Sequence, residues 1–193
     1  MTTPLALPDS GPSPERLAVA DQTPGFMPVD EALALHKFAS HFLTQEDSVG
    51  LGIEIGTYCG KSTVFFGDAA EAAGALLATV DHHRGSEEHQ PGWEYHDTTL
   101  VDPHAGTLDT SARVRRTMFD AGLERTVIGV LAPSTVAARM WGRPADVVFI
   151  DGGHSMEAAQ NDYDGWARWV RPGGALLIHD VFPDPADGGR PPY

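Results

Sequence analysis

Several apolar runs in this chain end on ionisable residues: Glu54, Asp81, Asp151 and the pair His179-Asp180. Carboxylates and imidazoles gathered at neighbouring strand ends can accept hydroxyl protons, hold a cation or move a proton near neutral pH. In an open parallel sheet those ends face the ligand crevice. Glu54 leads into Gly56-Thr57-Tyr58-Cys59-Gly60-Lys61-Ser62, an apolar strand that turns through glycines into a helix. Gly56 and Gly60 allow the backbone to pass close to a ligand. The loop is not the G-x-G-x-x-G of dinucleotide sites, and Glu54 beside it would repel a pyrophosphate. An acid there suits a cationic or neutral group. Asp81 closes the next apolar run and can accept both hydroxyl protons of a ribose. A ligand with a ribose, a positive amino group and no phosphate fits both acids, and S-adenosylmethionine is such a ligand.

The elements that must position these residues alternate along the chain. Strands are expected at Gly50–Ile55, Leu76–Val80, Thr126–Leu131, Asp146–Ile150 and Ala175–Ile178. Helices are expected at Lys61–Ala73, Thr110–Ala121, Ser134–Met140 and Met156–Val170, the last stopped by Pro172-Gly173-Gly174. A further helix starts at Val29, with Asp30 as a candidate cap. Near-continuous apolar strands separated by helices predict an α/β fold, a doubly wound and mainly parallel sheet. Residues 1–28, with Pro4, Pro8, Pro12, Pro14, Pro24 and Pro28, read as a disordered leader ahead of a domain over 29–182. Residues 183–193 read as an irregular tail. Residues 82–108 are too long for an ordinary connection and read as a functional or mobile segment.

Three motifs in order carry a family resemblance. Glu54-Ile55-Gly56-Thr57-Tyr58-Cys59-Gly60-Lys61-Ser62 resembles motif I of class I S-adenosylmethionine-dependent methyltransferases. Val147-Val148-Phe149-Ile150-Asp151-Gly152-Gly153-His154 and Gly173-Gly174-Ala175-Leu176-Leu177-Ile178-His179-Asp180-Val181 resemble its later motifs, in the manner of small catechol-type O-methyltransferases and their bacterial relatives. The resemblance implies a Rossmann-like methyltransferase fold and methyl transfer to a small-molecule acceptor, most naturally a hydroxyl oxygen. It implies that Glu54, Gly56, Tyr58, Gly60 and Ser62 surround the methionine end of the cofactor. Asp81 would hold the ribose, with His82 beside the adenosine and Ser134 at the adenine. Metal-dependent members bind Mg²⁺ through acids and an amide at positions that fall here on Asp151, His179 and Asp180. The histidine departs from an all-oxygen set and leaves open a softer divalent metal or none. The family sheet has two further strands after the fifth, which this sequence lacks. The fifth strand's edge would then be bare, so that the given chain is truncated, is a shortened paralogue, or has that edge covered by a partner such as a second copy of the chain.

His154 follows Asp151 by three residues, where catechol-type relatives place a lysine base, and a neutral imidazole can do that work. The histidines at 82, 83, 89, 96 and 104 show no H-x-x-x-H spacing, so most read as solvated loop residues. Trp93 and Tyr95 are candidates for an apolar acceptor wall. Cys59 reads as a small apolar filler. The formal net charge of −14 makes nucleic acid and anionic lipid poor partners. No run of about 18 apolar residues exists, no secretory signal is read, and one cysteine suits a reducing cytoplasm. Two alternatives stand beside the enzyme: a non-catalytic methyltransferase-like binding module, motivated by the missing strands, and a nicotinamide-dependent oxidoreductase, disfavoured by the absent third glycine.

Overall fold

A computed structural model describes residues 6–181; residues 1–5 of the expected leader and the expected tail at 183–193 lie outside them. Five strands form one parallel sheet: β1 (Leu51–Ile55), β2 (Leu76–Asp81), β5 (Val127–Leu131), β6 (Ala145–Ile150) and β7 (Val170–Ile178). A two-stranded antiparallel ribbon, β3 (Val101–Asp102) and β4 (Thr107–Leu108), stands apart inside the long connection after β2. The sheet order is β5-β2-β1-β6-β7. The chain runs outward from β1 through β2 to β5, then returns to place β6 on the other side of β1. The switch point therefore lies between the ends of β1 and β6, where an open α/β sheet binds its ligand. This is the Rossmann-like arrangement that the strand pattern predicts.

The central strands explain themselves. Every residue of β1 and of β6 is buried, because helices cover both faces. Period-two alternation then sends neighbours to opposite cores. Val147 and Phe149 pack with Phe65, Phe66 and Leu77 under α2 (Val29–Leu43) and α3 (Lys61–Ala72). Val148 and Ile150 pack with Ile53, Ile55 and Trp166 under α5 (Ser134–Met140) and α6 (Met156–Trp166). The remaining helix, α4 (Ser111–Asp120), leads into β5. No helix among the described residues is long and apolar enough to cross a membrane.

The leader is not disordered across its length. Residues 14–21 form helix α1, with the Ser13 hydroxyl accepting from the Arg16 amide at 3.3 Å. Arg16 ties α1 down: its guanidinium lies 2.7 Å from Asp68 and 2.5 Å from Glu71, and Nε donates to the Ala121 carbonyl at 3.0 Å. Asp68 also contacts buried His36 of α2 at 2.9 Å, so one carboxylate joins three helices. These partners lie more than fifty residues away from Arg16, beyond any local pattern. Asp30 does not cap α2; Pro28 holds the cap position and Asp30 lies in the first turn, where the helix dipole favours an acid. Helix α6 stops at Trp166, short of Val170, and β7 begins earlier than expected because Val170 pairs with Ala145 across a register shift. Among the described residues β7 pairs with β6 alone.

Below the sheet, fully buried Asp146 organises the strand starts. It accepts from the amides of Val49 and Leu51 and the hydroxyl of Ser48, each at 3.0 Å, and from Arg171 Nε at 2.6 Å. Burial pushes its carboxyl up, but the two amides, Arg171 and Ser48 together outweigh that and hold it below its ordinary value. Its contribution is therefore complete above the unfolded carboxylate pKa and fades as pH falls through the folded one. Asp146→Ala leaves two amides and Arg171 Nε without their acceptor, although Arg171 keeps Asp47 at 2.8 Å, and should cost about 3 kcal/mol in urea denaturation at pH 7. The deficit should shrink as the pH is lowered into the acid range.

Candidate active site

A cavity of about 640 Å³ opens over the strand ends, and Gly56, Tyr58, Asp81, His82, Ser134, Asp151 and His154 all line it. A smaller cavity of about 90 Å³ adjoins it, sharing Gly56, Tyr58, Asp151 and His154 and adding Ser62, His179 and Asp180. The structure thus gathers most of the expected site residues around one space.

The glycine loop is held from two sides. Gly56 has φ of 90°, and a Cβ there would overlap the Asp151 carbonyl at the end of β6. Only glycine permits that approach. Asp81 holds the other side: Oδ2 accepts from the amides of Thr57 at 2.9 Å and Tyr58 at 2.8 Å, and Oδ1 from the His83 amide at 2.7 Å. These bonds support Tyr58 in a left-handed conformation with φ of 48°. A carboxylate offers about four lone-pair sites, so roughly one remains for a ribose hydroxyl rather than two. Gly60 follows as the left-handed N-cap of α3.

Glu54 departs from expectation. It is fully buried beneath the loop and does not reach the cavity wall. Ser62 Oγ donates to it at 2.8 Å, and the hydroxyls of Thr63 and Thr79 each donate at 2.6 Å. The reason is geometric: the first turn of α3 lies over the strand and turns its hydroxyls onto the carboxylate. Burial pushes Glu54 up to about 7, against the pull of the three hydroxyls. Cys59 is buried too, and burial pushes its thiol up to about 12, as suits a filler rather than a nucleophile.

On the other side of the loop, acids and imidazoles alternate. His154 Nδ1 lies 3.3 Å from Glu88, and its Nε2 forms an ion pair at 3.1 Å with Asp180. His179 Nδ1 lies 3.1 Å from Asp151 and 3.3 Å from Asp180, while Nε2 meets Glu31 of α2 at 2.5 Å. Asp180, then burial and Glu88 in opposition, set the His154 imidazole above its ordinary value. Burial pulls His179 down, but Asp151 and Asp180 outweigh it and raise it to about 11. In turn His154 and His179 hold Asp180 well below the usual carboxylate range.

The group able to hold a metal is not the expected one. Ligand atoms of Asp151, His154 and Asp180 all lie within 4.8 Å of one another. Asp151 and Asp180 are as expected, but His154 replaces His179. An imidazolium has no lone pair to give, and His179, between three carboxylates, is held in that form. His154 Nε2 and His179 Nδ1 are both buried without an aligned hydrogen bond, but of the two rings only His154 belongs to the close group. The set fits a divalent ion.

Other site residues carried no signal in the sequence. Glu88 and Asp162 line the large cavity, both nearly buried. Phe26, inside the supposed leader, lies 4.7 Å from Tyr95 and 5.5 Å from Tyr58 between ring centres, and His89 stacks on Tyr58 at 4.9 Å. The loop histidines are therefore less solvated than expected: His89 joins this cluster, and buried His83 bonds Thr110 at 2.8 Å. Of the two candidate wall residues, Tyr95 joins the aromatic cluster and Trp93 lines the large cavity.

The sheet order, the glycine loop at the switch point and the acids at successive strand ends together define the Rossmann-like architecture of class I S-adenosylmethionine-dependent methyltransferases. A family model described as a methyltransferase domain matches residues 53–181, and the chain belongs to that family. Solved structures share the fold. Cofactor-bound Rv0187 from MTB aligns with TM-score 0.59 and 20% identity, over 84% of this chain and 62% of its own. The O-methyltransferase NovP aligns with TM-score 0.64 and 14% identity, over 81% and 67%. The SAH-bound Podospora anserina methyltransferase PaMTH1 aligns with TM-score 0.60 and 13% identity, over 90% and 64%. The chain therefore spans a little under two thirds of the length of Rv0187 and PaMTH1.

Glu54 yields a pH test. Its folded pKa near 7 exceeds the unfolded value of 4.5, so the folded state binds the extra proton between them. Stability should fall as pH rises through that window, by roughly 3 kcal/mol from this group. Glu54→Gln should remove that slope, which parallel denaturation series from pH 4.5 to 8 would measure; an unchanged slope would contradict the assignment.

Proposed function

We propose that this chain binds S-adenosylmethionine across the ends of β1, β2 and β5 and transfers its methyl group to a hydroxyl oxygen of a small-molecule acceptor. One observation carries this reading: the Asp81-braced loop and the Asp151–His154–Asp180 group border the same pair of adjoining cavities. The bound sulfonium supplies the electrophilic methyl carbon. The protein must align an acceptor oxygen with it and take the hydroxyl proton.

His154 is placed for that proton. Glu88 on Nδ1 and Asp180 near Nε2 orient the ring, and Asp180 raises its basicity. The ring must first be neutral, so the base works better as pH rises through its raised pKa. A divalent cation held by Asp151, His154 and Asp180 would lower the acceptor's pKa. Phe26, Tyr58 and Tyr95 supply an apolar wall beside the group. The net charge of −14 supports a small molecule over a nucleic-acid acceptor, and no membrane partner is proposed. Buried Cys59 suits a reducing cytoplasm. The outer edge of β7 is where a second copy of the chain would pair.

Calorimetric titration with S-adenosylmethionine tests the reading. Saturable binding is expected, weakened roughly 10- to 100-fold by Asp81→Ala, which removes a charged acceptor. No binding up to millimolar by folded protein would overturn it. With hydroxylated small-molecule acceptors, His154→Ala should lower kcat roughly 10²- to 10⁴-fold while cofactor affinity holds. Cofactor binding with no turnover on any acceptor would favour the binding-module alternative, and methylation of structured RNA instead would overturn the acceptor class. Activity that survives both chelation and Asp180→Ala would remove the metal from the scheme.

A further inference from the structure

One carboxylate at the cavity takes no part in this chemistry. Asp162 lies on the second turn of α6, is 5% exposed, and lines the large cavity, whose lining does not include Asp180. Ser134, the first residue of α5, donates its hydroxyl proton to Asp162 Oδ1. The other carboxylate oxygen lies against Gly152, where a Cβ would overlap it. The carboxylate is thus wedged under the chain that follows β6. Burial raises its pKa while the Ser134 bond opposes, and Asp81 and His82 are the charged groups that act on it.

A serine hydroxyl has one proton and two lone pairs. With the proton committed to Asp162, Ser134 presents only lone pairs to the cavity. An ionised Asp162 beneath it is also acceptor-only. Whatever faces this end must donate. On the proposed function, on which this inference rests, ribose lies at Asp81 on β2 and the sulfonium at the loop after β1. The base then lies over the next strand out, β5, whose end leads through Pro133 to Ser134. A purine seated there with its six-position toward Ser134 would present an amine in adenine and a carbonyl oxygen in hypoxanthine.

We propose that Asp162 is a positioning residue that fixes the Ser134 hydroxyl with its lone pairs toward the cavity, so that the site accepts the exocyclic amine of adenine and rejects a carbonyl in its place. Asp162 need not touch the base. It acts by removing the hydroxyl's freedom to turn and donate. A serine without this partner would serve either purine by rotating its proton.

Calorimetric titration with S-adenosylhomocysteine and S-inosylhomocysteine tests this. The unaltered protein should prefer the adenosyl compound by roughly 10- to 100-fold, the range expected when two acceptors are forced together. Ser134→Ala, at a half-exposed position, should cut the preference to less than about threefold. Asp162→Asn keeps the shape but can offer an amide proton to Ser134, freeing the hydroxyl to donate; it should cut the preference similarly, mainly by improving the inosyl compound. That last gain is what a purely structural role for Asp162 would not produce. Full preference retained in folded Asp162→Asn, or equal binding of both compounds by the unaltered protein, would overturn the inference while the proposed function stands. Binding of neither compound to the unaltered protein would overturn both.

Discussion

The ends of β1 and β6 lie so close that no side chain fits between them, and the site depends on that approach. The Asp151 amide donates to the Ile55 carbonyl at 2.8 Å, and the next residue, Gly56, passes directly against the Asp151 carbonyl. Because the two strands are parallel neighbours in register, Ile55 beside Ile150, their loops must leave the sheet together. One loop turns into α3 and, on the proposed function, forms the cofactor floor. The other carries Asp151 and His154. Any Cβ at Gly56 would separate the part that holds a methyl donor from the part that can take a proton. The two buried cores on either side of the sheet keep this spacing, since a shift of either strand would move close-packed side chains on both faces.

A second constraint is charge. Glu31, Asp151, Asp180 and Glu88 surround two imidazoles; the carboxylates raise both histidines, and the histidines in turn lower Asp180. The two histidines do not share one task. His179 faces three carboxylates and is held as a cation that neutralises the cluster. His154 faces two, and the cavity, and keeps a ring nitrogen near the space where an acceptor would lie. His179, one place before Asp180 in sequence, accordingly lies outside the Asp151–His154–Asp180 group, while His154 from the loop before α6 lies within it.

What the sequence disclosed follows the same physics. Buried parallel strands must be apolar along their length, so β1, β2 and β6 and the acids at their ends stood out from their surroundings. The doubly wound, parallel arrangement followed from alternation with helices, while the order of the strands did not. Side-chain direction was less accessible. Glu54 sits in motif I beside the loop, yet the hydroxyls of Ser62, Thr63 and Thr79 claim it, and that claim exists only once α3 lies over β1. Helix α1 was hidden for a related reason: its proline-rich sequence has little periodicity, and it is held by Arg16 reaching Asp68 and Glu71.

The two halves of the site therefore differ in how they are encoded. The cofactor half is made of consecutive residues at strand ends, where local conformation and covalent order already place them. The half proposed to meet the acceptor is assembled from Phe26 before α2, Glu88 and Tyr95 in the long connection after β2, and His154 before α6. His154 is marked in the sequence by Asp151 three residues earlier and Tyr95 by its neighbour Trp93, but Phe26 and Glu88 have no sequence neighbour that identifies them, because tertiary packing alone brings them in. Loops that join a fixed sheet edge can change without disturbing the strands that hold the donor. On the proposed function, the legible half would hold the methyl donor at the sheet edge, while the half that would meet the acceptor is completed only when folding brings Phe26 and Glu88 to it.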